Sequence, residues 1–236
     1  MASIKGILFD KDGTLVDFNA TWFGVADFLA LEAAEGDRWK ADRLLVASGY
    51  DFATGLFKAD SIFASGSNLD VVELWFPKLT EAEQLAAMAH FNEITAIKGS
   101  ERAVALPDAI ETIAALHAAH FRMAIATNDS TSGAEKTLEA LRISQYFEAA
   151  YGYDAVAKSK PAPDTIYAFC DLTGLKPSEL AMVGDNRHDL EMARAGRVGL
   201  AIGVLSGTGT QETLAPLADV VLASVADLPA LLQARS

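Results

Sequence analysis

Two carboxylates stand one residue apart in Phe9-Asp10-Lys11-Asp12-Gly13-Thr14-Leu15-Val16-Asp17, where the apolar run from Ile4 to Phe9 breaks into a turn. Ile7, Leu8 and Phe9 predict a buried parallel strand. The Gly13-Thr14 turn leaves both acids at its carboxyl end, where open α/β sheets collect their ligands. Close carboxylates push their proton affinities apart, which suits one ionised nucleophile beside one protonated acid. This is the layout of a magnesium-assisted carboxylate nucleophile. Asp10 would attack a phosphoryl group and touch the metal, while Asp12 would protonate the leaving alcohol and then activate water. The plain alternative is a pair of turn-forming aspartates that close a strand.

Further residues suited to the same chemistry follow in order. Thr127 ends its own apolar run as a hydroxyl which, with Asn128 and nearby backbone N–H groups, could bind phosphoryl oxygens. Thr also favours strands on steric grounds, and Asn128 and Asp129 could equally start a helix. Lys160, ahead of a Pro-led helix, is a point charge suited to steadying Asp10 and a transferring phosphoryl, with Lys158 left as surface charge. Asp185 follows Leu180 to Gly184 and is the hard oxygen ligand that Mg²⁺ selects; Asp189 falls one helical turn later. Both could instead be acids complementing a helix dipole.

The elements that must position these groups alternate along the chain. Met123 to Thr127 reads as strand, Ser132 to Leu141 as helix, Ala149 to Tyr153 as short strand and Pro163 to Thr173 as helix. Leu180 to Gly184 then reads as strand, His188 to Ala195 as helix, Gly199 to Val204 as strand and Thr210 to Leu214 as short helix. Val220 to Leu222 and Val225 to Ala234 close the chain as strand and helix. Such alternation implies a mainly parallel sheet with helices on both faces. Thr21 to Ile97 differs: apolar residues recur at helical spacing, which predicts an all-helical insert. Its last helix starts at Thr80 with Glu83 completing a capping box, and runs to about Ala96. Gly99 and Pro107 bracket the return, and a helix from Pro107 to Ala119 would carry Pro107 in its first turn.

A chain of 236 residues, 51% hydrophobic, can bury a main core and a smaller inserted one. The net charge of -13, from 32 acidic and 19 basic residues, argues against nucleic acid and anionic membranes as partners. No apolar run approaches membrane-spanning length, and Met1 to Lys5 lack the pattern of a signal peptide. The lone Cys170, in an apolar helical context, reads as an inert buried thiol, and a cytoplasmic protein is expected.

With all four segments in view, the chain resembles the haloacid dehalogenase-like hydrolases, in particular their phosphoglycolate phosphatase-like branch. The motifs are Asp10-Lys11-Asp12-Gly13-Thr14, Ala126-Thr127-Asn128, Ser159-Lys160-Pro161-Ala162-Pro163-Asp164 and Gly184-Asp185-Asn186-Arg187-His188-Asp189. The resemblance implies an α/β fold: a Rossmann-like three-layer α/β/α core, residues 1-18 and 98-236, with an inserted all-helical cap, residues 19-97. It implies a Mg²⁺-dependent phosphate-monoester hydrolase of a small phosphorylated metabolite, phosphoglycolate at the family level, acting through an aspartyl-phosphate. Asp10 and Asp12 are then catalytic, and Thr127, Asn128 and Lys160 bind the phosphate. Asp10, Asp12 (through its backbone carbonyl) and Asp185 hold the metal, and Asp189 supports them. A sugar-phosphate mutase sharing Asp10 and Asp12 is the nearest rival. A protein phosphorylated on aspartate without turnover is the rival from another class. Monomer and homodimer are both compatible with the sequence.

Lys11 stands where that branch commonly has an apolar residue, and alternation along a strand predicts that it points away from Asp10 and Asp12. Direct contact would weaken Asp12 as an acid. Asn186 and Arg187 stand where small residues are common. The cap would exclude water by closing about hinges near Val16 to Ala20 and Ile97 to Gly99. Of its candidate specificity residues, Trp22 and Phe23 read as core, Arg43 and Lys58 as solvated charge, and His90 as surface.

Overall fold

The apolar run near the start of the chain forms strand β1 (Gly6–Phe9) in the computed structural model, which describes residues 3–234. Every residue of β1 is buried, and pleating sends Ile7 and Phe9 into one core and Leu8 into another. A strand apolar on both faces needs helices on both.

Next come α1 (Phe18–Ala33), α2 (Arg38–Ala47), β2 (Tyr50–Asp51), β3 (Leu56–Phe57), α3 (Ile62–Ser65), α4 (Asn68–Trp75) and α5 (Glu81–Arg102). These pack around a core of their own that includes Val25, Leu29, Leu45, Val72 and Phe91. The expectation of an all-helical insert is corrected by β2 and β3, which pair antiparallel. Strand-favouring Tyr50 and Phe57 face each other edge to face at 5.1 Å across a turn containing Gly55 at φ 73°.

The helix boundaries follow from caps. Asp17 Oδ1 accepts the Ala20 N–H at 3.0 Å, so α1 begins at Phe18, inside the Val16 to Ala20 segment named above as a hinge. Thr80 and Glu83 form the predicted capping box. α5 does not stop near Ala96 but runs on to Arg102. Gly99 sits inside it because the Trp22 ring passes there; a Cβ would lie 3.1 Å from that ring. The return link is therefore 103–106, not Ile97 to Gly99. There Val16 pairs antiparallel with Ala105, the Asp17 N–H donates to Val104 O at 2.8 Å, and the Leu106 N–H to Leu15 O at 2.9 Å.

The rest alternates: α6 (Ala109–Ala118), β4 (Arg122–Ala126), α7 (Thr131–Ala140), β5 (Ala149–Tyr151), α8 (Asp164–Thr173) and β6 (Leu180–Gly184). Then follow α9 (Arg187–Gly196), β7 (Leu200–Val204), α10 (Gln211–Leu214), β8 (Val220–Leu222) and α11 (Leu228–Gln233). Pro107 precedes α6 instead of entering its first turn, because Asp108 takes the cap position at φ 60°. Cys170 on α8 is only partly buried, a correction; burial, then Asp171 and Glu179, still push its thiol up and keep it protonated.

The sheet order is β5-β4-β1-β6-β7-β8 and every pairing in it is parallel. The chain builds outward from β1 to β5 and then crosses to β6, so the order reverses about β1, where a doubly wound sheet opens its crevice. Ile113 and Leu228 cover the face of Ile7, and Ile166, Phe169 and Leu190 cover that of Leu8. These are the expected layers. Among the described residues no helix is long and apolar enough to cross a membrane.

Candidate active site

Strands β4, β1 and β6 end in step, with Phe9 level with both Ile125 and Val183. The residues just beyond them, Thr127, Asp10 and Asp185, therefore meet at one sheet edge. The Asp10 N–H donates to Val183 O at 2.8 Å and carries the ladder one step further.

Lys160 reaches this edge from the loop before α8, while Lys158 is exposed. Its Nζ donates to Asp10 Oδ1 at 2.7 Å and to Asp189 Oδ1 at 2.6 Å. Burial works against its ammonium, but Asp10 and Asp189 outweigh it and hold Lys160 above its ordinary pKa. Asp189, fully buried on α9, also accepts the Asn186 N–H at Oδ2, 3.0 Å away, as the far half of a capping box. Asp185 Oδ2 accepts the Thr208 N–H at 2.7 Å and lies 3.3 Å from the Thr208 hydroxyl. The loop after β7 thus closes on Asp185, and Ser206 ties it to the first turn by donating to Gly13 O at 2.8 Å. Only glycine fits at Gly13, where φ is 81° and a Cβ would lie 2.6 Å from the Asp185 carboxylate.

Asp10 is raised to about 7, first by burial, then by Asp189 and Asp12 against the pull of Lys160. Asp185 is raised to about 7 by burial and then by Asp10, and Asp189 is raised as well, chiefly by burial. Oxygens of Asp10, Asp185 and Asp189 all lie within 4.8 Å of one another. Three buried carboxylates with one ammonium among them form a hard, electron-rich donor set, which fits a divalent cation of the Mg²⁺ type.

Asp12 stands outside that triad, and the expectation for Lys11 is overturned. Lys11, 1% exposed, forms an ion pair with Asp12 at 2.5 Å and a second with Asp129 at 3.3 Å. Face alternation holds only in a strand, and the chain has already left β1: the N–H groups of Leu15 and Val16 both bond back to Lys11 O. Burial disfavours the Lys11 ammonium, but Asp12 and Asp129 more than compensate and raise its pKa. Asp129, read as a helix starter, is thus part of the site; burial raises its own pKa against the pull of Lys11.

Thr127 Oγ1 accepts the Asp129 N–H at 3.1 Å and keeps its own proton to donate. Asn128 lines the same cavity as Thr127. Its Nδ2 is engaged by Ser65 O at 2.8 Å and Lys160 O at 3.3 Å, so the side-chain donor holds the two halves of the molecule together.

Sequence reasoning set Trp22 aside as core. It is core, and it also reaches the site: its indole Nε1 donates to Asp12 Oδ1 at 2.6 Å, and its ring lies 5.0 Å from Lys11 Nζ. The other cap candidates stay away. Phe23 stacks on Tyr50 at 4.7 Å, Arg43 lies over Trp39 at 4.7 Å, Lys58 is exposed, and His90 pairs with Glu32. Ser206 and Thr208 were missed, although their place beyond β7, next to β6 in the sheet, points to them.

The sequence model of the haloacid dehalogenase-like hydrolases matches residues 4–197. The chain belongs to this family. Among its relatives, the phosphoglycolate phosphatase of Photorhabdus laumondii subsp. laumondii is 32% identical and that of Escherichia coli K12 29%. Each alignment covers 97% of this chain and 92% of the relative. The chain is therefore an enzyme, and these relatives place it among the family's phosphatases. A solved structure of a predicted phosphoglycolate phosphatase from Haemophilus somnus shares the fold with a TM-score of 0.73, at 22% identity over 98% of this chain and 99% of that one. A haloacid dehalogenase-like family hydrolase from Streptococcus pneumoniae does so at 0.66, with 21% identity over 99% and 100%.

Proposed function

We propose that the chain is a Mg²⁺-dependent phosphatase of a small phosphate monoester, working through an aspartyl-phosphate on Asp10. One observation carries this reading: Lys160 is held between Asp10 and Asp189 with Asp185 alongside, at the carboxyl edge of the sheet. Asp10 attacks phosphorus as the ester P–O bond breaks, and Asp12, despite the Lys11 contact that weakens it as an acid, gives its proton to the leaving oxygen. Asp12 then takes a proton from the water that splits the aspartyl-phosphate, which frees phosphate and restores Asp10. Thr127 donates to a phosphoryl oxygen, and Lys160, oriented by Asp189, offsets charge on Asp10 and the transferring group. Mg²⁺, held by Asp10, Asp185 and the backbone carbonyl of Asp12, supplies the further positive charge that this acidic edge lacks.

Residues 18–102 act as a cap that shuts water out, and the reading puts the enzyme in the cytoplasm with a small phosphorylated metabolite as its partner. Phosphoglycolate is the reference compound, given the relatives' name. The test is phosphate release from a panel of phosphate monoesters, with and without Mg²⁺, beside Asp10→Asn. Release that needs both Mg²⁺ and Asp10 is expected; release that survives Asp10→Asn would sink the reading.

A further inference from the structure

We infer that the substrate's leaving group is uncharged and bears hydroxyl groups, so that 2-phosphoglycolate, with its carboxylate, is a poor substrate. This rests on the phosphatase reading above.

The cavity over Asp10 is closed by contacts that cross it. Ser65 O accepts from Asn128 Nδ2 at 2.8 Å and from His188 Nδ1 at 3.3 Å, and Trp22 donates to Asp12, all five of these residues lining the cavity. The residues that line it are the wall an ester bound there meets. Its apolar part is Phe18, Trp22, Phe63 and Val71. Its polar part on the same side is Ser65, Ser67 and Asn68, none of them charged.

Among the described residues lining the cavity, the basic ones are Lys160 and His188. Lys160 is fixed between Asp10 and Asp189 on the phosphoryl side. His188 donates from Nδ1 to a carbonyl, so in its neutral form the remaining nitrogen is an acceptor. Lys11 is engaged by Asp12 and Asp129, and both of those acids line the cavity. A carboxylate on the leaving group would be stripped of water beside two acids, with Lys11 and Lys160 already paired and no permanent cation left to meet it. The net charge of -13 adds to the disadvantage.

A hydroxyl finds the opposite situation. Asn128 lines the cavity, and the carbonyls of Ser65 and Lys160 fix which of its amide atoms is nitrogen, since they can only accept. Its Oδ1 is buried with no hydrogen-bond partner. What that oxygen lacks is a donor. A hydroxyl supplies one, and an ionised carboxylate cannot.

The experiment compares kcat/KM of the full chain with Mg²⁺ for three probes. These are 2-phosphoglycolate, 2-hydroxyethyl phosphate, which puts CH₂OH in place of the carboxylate, and phenyl phosphate. The expected result is a preference of about tenfold or more for 2-hydroxyethyl phosphate over 2-phosphoglycolate. Equal rates, or faster 2-phosphoglycolate, overturn the inference while leaving the phosphatase standing. Hydrolysis of none, phenyl phosphate included, overturns the phosphatase reading and the inference with it.

Discussion

The indole of Trp22, from α1 in the inserted segment, donates to Asp12 at 2.6 Å, so a side chain away from the sheet holds one oxygen of the candidate acid while Lys11 holds the other. The acid is oriented only while α1 lies where it does. Trp22→Phe keeps an aromatic ring beside Phe63, 6.4 Å away, and removes the donor. Its kcat for an alkyl phosphate is expected to fall about tenfold to a hundredfold, and less for phenyl phosphate, whose leaving group needs less help from an acid. Equal losses for the two esters would show that Trp22 does not act through Asp12.

Lys11→Met leaves Asp12 and Asp129 as neighbouring, partly buried acids without their buried cation. Removing one partner of a buried pair costs about 3–5 kcal/mol, and the midpoint of urea unfolding should move accordingly. Adding Asp129→Asn removes one of the stranded charges and should restore part of the loss. If the double variant is no more stable than Lys11→Met alone, the two charges are not coupled.

Asp10 and Asp185 are raised from 3.8 to about 7 in the folded chain, so between those values the folded state holds protons that the unfolded state has lost. The stability of the metal-free protein therefore falls as pH rises from about 4 to 7. Asp189 and Asp12 face these groups and add to the effect, and Lys160 opposes it. Mg²⁺ should raise Tm more at about pH 8 than at about pH 5, because at low pH it must displace protons. A Tm gain independent of pH would contradict this.

Gly207→Ala would put a Cβ 2.0 Å from Asp185 Oδ2. The carboxylate must move, and the Mg²⁺ concentration for half-maximal activity should rise about 10–100-fold. An unchanged value would mean that Asp185 does not hold the metal.

The strand-end residues were legible because their signal is local: an apolar run fixes the strand, and parallel strands in step bring Asp10, Thr127 and Asp185 to one edge. Lys160 and Asp189 were legible from motif spacing. Lys11 was misread because face alternation was extended past Phe9, into a turn whose backbone bonds return to Lys11 O. Trp22 was undervalued because an aromatic at helical spacing looks the same whether its N–H faces a core or an acid. Asn128 showed its type but not its partner, Ser65, which lies far away in the chain. The end of α5 was misplaced because Gly99 serves packing against Trp22, a role that looks in sequence like a helix stop.

The bridge between Val16 and Ala105 brings the two ends of the intervening segment side by side. A segment whose ends already meet adds little closure entropy to the fold that carries it, and its length can change at small cost. The sheet and its acidic edge are thus insulated from what is spliced between 17 and 104. A lineage can trade one insert for another while Asp10, Lys160 and Asp185 keep their places.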